Sequence, residues 1–279
     1  MKPNPRFAQQ PLAFWAHVRS LSQELGYTEK TTRQIKTHSS DDVIRGLHKL
    51  GLTSDHFLDS QTGLSTFGTL LLEYFEHRAT VLNEVVQHNL MNKTQAEEIF
   101  LDLQMRLKPT CPLPINKQKG EKRNYSFFTC TINMLLEHEI KGKQIEYDPR
   151  ALVTFTKNSV PIRTLARRMD GCFPSTVNPK AVWEIKEYYY TTTFGSRVAD
   201  GVYETLLDGM ELEEAREATA YAVEHYLFID DHFTWWDCGK SYLCRMIDML
   251  HMGYLNELIV GRETLERVPK IAQAWISQA

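Results

Sequence analysis

Apolar residues recur at helical spacing over most of the first hundred positions. Leu12, Phe14 and Trp15 open a pattern that runs to Leu25 and stops at Gly26. Ser39, Ser40, Asp41 and Asp42 form an N-cap cluster ahead of Val43, Ile44, Leu47 and Leu50, and Gly51 closes that segment. Thr66 to Asn89 carries Leu70, Leu71, Tyr74, Phe75, Val81, Leu82 and Val85, and Thr94 to Leu107 carries Ile99, Phe100, Leu103 and Met105. The pattern predicts a helical region over residues 1–108. Lys30, Arg33, Lys36 and His38 fall between its short helices at a helix-turn-helix-like spacing. A DNA-contacting or dimerisation module is one reading; a plain helical subdomain is the more economical one.

The pattern then changes. Residues 109–123 hold three prolines and a basic run through Lys117, Lys119, Lys122 and Arg123, which predicts a linker or surface loop. From 124 to 279 helical and strand periods alternate. Helices are expected over Asn124–Ile140, Ser196–Leu207, Glu211–Tyr221, Lys240–Leu255 and Arg262–Ser277. Strands are expected over Ala151–Phe155, Ile162–Met169, Val182–Tyr190, His225–Asp230 and Leu258–Val260. This order predicts an α/β (α+β) core, a mixed β-sheet flanked by helices, behind an all-helical N-terminal region.

The stretch AVWEIKEYYY at 181–190 carries the chemistry. Side chains alternate across a strand, so Glu184, Lys186 and Tyr188 share one face and Trp183, Ile185 and Glu187 the other. Charge on a buried strand is costly unless it is paired or used. Asp170 lies 14 residues before Glu184. A hairpin-like return would set it beside Glu184 at one end of two neighbouring strands. Two carboxylates and an ammonium would then converge, a donor set suited to a hard divalent cation and a phosphate. The rival is an ion pair on a solvated face. A second acidic pair, Asp230–Asp231 at the end of a strand, lacks a lysine two residues on and ranks lower.

Asp170 followed by Glu184-Ile185-Lys186 resembles the signature of the PD-(D/E)XK nuclease superfamily, which includes many type II restriction endonucleases. Met169 stands where that pattern has proline. The likeness spans roughly Asn124 to Val260 in layout and three residues in motif. It implies a restriction-endonuclease-like core, Asp170 and Glu184 as ligands of Mg²⁺ (or Mn²⁺), the main-chain carbonyl of Ile185 as a further ligand, and Lys186 orienting the attacking water. It also implies double-stranded DNA as partner and a homodimer on palindromic sites. Glu137, on the helix before the strands, is the candidate extra carboxylate. Arg163, Arg167 and Arg168, with Ser196 and Arg197 at a helix start, are candidate DNA-backbone contacts.

Composition narrows the alternatives. The 279 residues are 42% hydrophobic and 11% aromatic, enough for a sizeable core. No apolar run approaches the ~18 residues of a membrane span, and the start MKPNPRFAQQ has no apolar stretch. Five scattered cysteines without zinc spacing imply a reduced, cytoplasmic protein. A net charge of −3 argues against a non-specific nucleic-acid coat but not against a nuclease with local basic contacts. No glycine-rich phosphate loop, GxSxG elbow or dinucleotide fingerprint is present. The readings left are a Mg²⁺-dependent endonuclease of the restriction kind, a repair or mobile-element nuclease of the same fold, and a non-catalytic DNA-binding protein.

Overall fold

The computed structural model describes residues 1–8, 10–59, 61, 63–116, 124–190 and 195–277, with the backbone alone at 196 and 197. The first helices form where their caps stand. Helix α1 (Leu12–Leu25) ends at Gly26, whose φ of 80° is the left-handed conformation glycine adopts freely. Helix α2 (Ser40–Lys49) starts on a reciprocal capping box between Ser39 and Asp42. Helix α3 (Thr66–Thr80) runs on through a π-helical segment, Val81–Val86, into a last turn, α4 (Gln87–Asn89). Phe14, Trp15, Val18 and Leu21 of α1 bury against Val43, Leu47, Leu71, Tyr74 and Phe75.

Helix α5 (Lys93–Leu107) takes a different partner. The sequence groups it with the N-terminal helices, yet Ala96, Phe100 and Leu103 share one apolar core with helix α6 (Phe127–Ile140) and the sheet.

Five strands make that sheet: β1 (Glu146–Tyr147), β4 (Gly171–Phe173), β5 (Ala181–Glu187), β6 (Glu224–Asp230) and β7 (Glu257–Val260), adjacent in that order. The first two pairings are antiparallel and the last two parallel. Parallel strands need a crossover. Between β5 and β6 it is helix α7 (Ser196–Thr219), one continuous helix where the sequence pattern predicts two. Between β6 and β7 it is a π-helical segment (Phe233–Cys238) and helix α8 (Lys240–His251). Helix α9 (Thr264–Ser277) closes the chain. Strand alternation sorts the layers: Ala181, Trp183, Tyr226, Phe228 and Ile259 join the core with α6 and α9, while Tyr188, Leu227, Ile229, Leu258 and Val260 join Val198 and Val202 of α7 and Leu243 and Ile247 of α8.

Strands β2 (Thr154–Lys157) and β3 (Val160–Thr164) form a separate hairpin that packs on α7. Its two turn residues, Asn158 and Ser159, have φ of 51° and 64°, as a two-residue primed turn requires. The strand expected over Ile162–Met169 therefore ends at Thr164. Beyond it the Ala166 N–H donates to the Glu211 carboxylate (2.9 Å) rather than to a neighbouring strand. Among the described residues no helix is long and apolar enough to cross a membrane.

Candidate active site

Strand register assembles the site. Gly171 pairs with Trp183, which sets Asp170 opposite Glu184. The Asp170 N–H donates to the Trp183 carbonyl (3.1 Å) and the Glu184 Oε1 (3.2 Å), and the Ile185 N–H donates to Asp170 Oδ2 (2.7 Å). Gly171 is needed here for space, since a Cβ would sit 2.0 Å from the Trp183 indole. Lys186 Nζ lies 2.9 Å from Glu184 Oε2 and 2.9 Å from Glu204 Oε2. Arg167 bonds to the same Glu184 oxygen (3.0 Å) and to Asp208 Oδ2 (2.6 Å), with Glu204 at 3.4 Å.

Helix α7 brings Gly201, Glu204, Asp208 and Glu211 along one stripe, at helical spacing. Gly201 leaves room for the Lys186 stem and the Tyr188 hydroxyl, which would lie 3.4 Å and 3.0 Å from a Cβ there. Behind the strand, the Trp235 Nε1–H reaches the Lys186 carbonyl (3.4 Å) from the π-helical segment.

Negative charge is in excess. Four carboxylates, of Asp170, Glu184, Glu204 and Asp208, face two cations, Arg167 and Lys186. Burial would raise Glu184, but Lys186 and Arg167 together hold it below the usual carboxylate range. Burial and then the nearby Glu184 charge push Asp170 up to about 7, and the same two causes push Asp208 up to about 7. Asp208 Oδ1 is buried without a hydrogen-bond partner. An all-oxygen cluster with more carboxylates than cations is the donor type that a hard divalent cation selects. Asp170, Glu184 and the Ile185 carbonyl are the groups that would hold one, with water completing the shell. Among the described residues no group of three or more His, Cys, Asp or Glu side chains is disposed to hold a metal ion.

The charge excess has a consequence for stability. Folded pKa values of about 7 at Asp170 and Asp208 exceed the unfolded value near ~3.9. The folded chain then holds protons that the unfolded chain has released, so these groups cost stability as pH rises from about 4 through about 7. In chelator, the melting temperature of the wild type should fall between about pH 5 and pH 8. Asp208→Asn, whose amide oxygen can still accept from Arg167, should fall less and be the more stable protein at the alkaline end. Superimposable pH profiles for the two proteins would show that Asp208 is ionised throughout.

A cleft of ≈530 Å³ opens at the C-terminal end of β5. Asp170, Lys186 and Glu187 line one side, and the segment with Pro112, Pro114 and Asn116 the other. Glu187, on the opposite strand face from Lys186, makes a local contact. Its Oε2 accepts the N–H groups of Phe128 (2.8 Å) and Thr129 (3.1 Å), the first turn of α6. Burial raises it to about 7.

Of the other candidate residues, only Arg167 among those described reaches the cluster. Glu137, in the last turn of α6, accepts the amide of Thr110 (2.9 Å) and its hydroxyl. Arg163 pairs with Glu211 (2.7 Å) and Glu214 (2.8 Å), and Arg167 points into the carboxylate cluster, so both are committed to α7 rather than held out to solvent. Arg168 is exposed, with Asp148 at 3.9 Å. The side chains of Ser196 and Arg197 and the basic run 117–123 lie outside the described residues. Asp230 accepts from the Met91 N–H (2.8 Å) and the Tyr189 hydroxyl, and Asp231 caps Thr234 (2.9 Å), which gives that pair a packing role.

Comparison with known proteins adds family membership without chemistry. A family model described as Domain of unknown function (DUF7687) matches residues 91–275, and one described as Domain of unknown function (DUF7690) matches residues 1–85. Neither the curated proteins nor the solved structures contain a match. The seam between the two matches falls just before α5, where the packing also changes partner.

Proposed function

Because the chain belongs to the family described as Domain of unknown function (DUF7687), whose description assigns no chemistry, we propose from the site itself that it is a Mg²⁺-dependent endonuclease hydrolysing phosphodiester bonds of double-stranded DNA. A sequence-specific, restriction-type role in host defence is the form we favour. The observation that carries this reading is the juxtaposition of Asp170, Glu184 and Lys186 across the β4–β5 register, with Asp170 and Lys186 at the wall of the cleft and Glu184 fully buried beside them. The mixed sheet flanked by helices agrees with the fold that the superfamily resemblance implies.

In this reading Asp170 and Glu184 hold the cation, which when bound lowers the pKa of a coordinated water and offsets charge on the phosphorus centre. Lys186, fixed between Glu184 and Glu204, keeps an ammonium beside the two carboxylates and orients the attacking water. Glu184 and Asp170 raise the affinity of Lys186 for its proton above the ordinary lysine value, despite burial, so it acts as a charge and not as a base. Arg167 keeps Glu184 ionised and turned toward the site.

Cleavage of unmethylated phage or plasmid DNA tests the proposal. Mg²⁺ or Mn²⁺ should support cutting, Ca²⁺ should support binding with little cutting, and chelator should abolish it. Robust cutting in excess chelator would falsify the two-carboxylate site. Palindromic sites are read by symmetric dimers, so a homodimer is part of the same proposal. Sedimentation should show two chains per DNA site; a monomer both free and on DNA would remove that part.

A further inference from the structure

Outside the carboxylate cluster, two imidazoles converge in the helical N-terminal region. His17 on α1 and His56, in the segment ahead of α3, place their Nε2 atoms 2.7 Å apart, with ring centroids at 4.6 Å. The His17 Nδ1 lies 2.6 Å from the Ala13 carbonyl oxygen, which can only accept. The proton of the neutral ring therefore sits on Nδ1, and the Nε2 lone pair faces His56. Phe67 backs both rings, with centroids at 5.1 Å and 5.2 Å, and the Ser65 hydroxyl holds the His56 carbonyl at 2.6 Å. A cavity of ≈350 Å³ opens at the pair, lined also by Ala16, Ser20, Leu52 and Thr53.

We propose that His17 and His56 form a surface site for one borderline divalent transition ion of the Zn²⁺ class, with water from the adjoining cavity completing the shell. A carbonyl on the outer ring nitrogen is the arrangement that orients a ligating histidine. Two zinc–nitrogen bonds of ~2.0–2.1 Å at a tetrahedral angle separate the nitrogens by about 3.3 Å. The pair at 2.7 Å needs only a small opening, on side chains that are exposed or half-buried. Imidazole selects such ions over Mg²⁺, so the site is chemically distinct from the oxygen cluster. The inference is independent of the proposed phosphodiester chemistry.

Calorimetric titration of the full chain with Zn²⁺, in excess Mg²⁺ to fill oxygen sites, tests it. The wild type should take up one ion per chain and melt at a higher temperature with Zn²⁺. His17→Ala and His56→Ala should fold, lose at least about tenfold in Zn²⁺ affinity and lose the thermal shift. Unchanged Zn²⁺ uptake in both variants would overturn the assignment. So would an absence of uptake by the wild type, which would leave the pair as a hydrogen bond only. One ion shared by two chains, with Zn²⁺-dependent dimerisation, would overturn the water-completed shell.

Discussion

Lys186→Met should keep the fold and lose DNA cleavage by roughly 10²–10⁴-fold, the range for a positioned charge-stabilising or proton-handling group. Methionine suits the test because the lysine stem lies against Gly201, and an apolar chain of similar length keeps that contact. Lys186 is about 9% exposed, so the alternative to catalysis is a buried ion pair and not a surface one. Its removal leaves Glu184 with Arg167 and the Asp170 N–H. Losing a hydrogen bond to a charged group costs about 1–3 kcal/mol, which is the expected fall in stability. The two roles separate in the readouts. A catalytic Lys186 leaves DNA affinity in Ca²⁺ nearly intact while single-turnover cleavage in Mg²⁺ collapses. A purely structural Lys186 lowers the melting temperature and leaves the rate of the folded fraction unchanged. A variant that cuts at the wild-type rate would remove the central claim.

The strand at 181–187 was legible because its information is local. Alternation alone puts Glu184 and Lys186 on one face and Trp183 and Glu187 on the other, and the spacing to Asp170 fits the β4–β5 return. What the sequence hid is non-local. Glu204 sits on the first of two expected helices, and Asp208 falls in the break expected between Leu207 and Glu211, which α7 spans without interruption. Their three- and four-residue spacing with Gly201 and Glu211 was the available signal, but acids on a helix face are by default solvated. Here Asp208 is buried and Glu204 half-exposed, because Arg167 and Lys186 meet them from another part of the chain.

The same blindness explains the arginines. Arg163 and Arg167 lie on a basic approach to Asp170 that reads as free for phosphate, and their hydrogen-bond partners on α7 are more than forty residues away. Glu187 is the converse case. It was placed on the correct face, but its partner is the first turn of α6, whose N–H groups no strand pattern reveals.

The largest stability effect is expected at the seam between the helical N-terminal region and the sheet layer. Arg78 on α3 is fully buried and donates to both oxygens of Asp248 on α8, at 3.0 Å and 3.2 Å. The Tyr74 hydroxyl donates to the same carboxylate (2.6 Å), and the second Arg78 nitrogen reaches Ser22 on α1 (2.9 Å). The guanidinium also lies 5.1 Å from the Phe75 ring centroid and 5.9 Å from that of Tyr74. Arg78→Ala leaves Asp248 buried with one neutral donor, and breaking a buried pair in this way costs about 3–5 kcal/mol. For a chain of this size each kcal/mol shifts the melting temperature by roughly 2–4 °C, so a fall of about 6–20 °C is expected. Replacing both partners together, as Arg78→Met with Asp248→Leu, should cost much less, because no unpaired charge remains. A double variant as unstable as Arg78→Ala would mean that shape, and not charge, holds the seam. Since Arg78 and Asp248 belong to α3 and α8, and not to the Asp170–Glu184–Lys186 network, the folded fraction of either variant should keep its metal response.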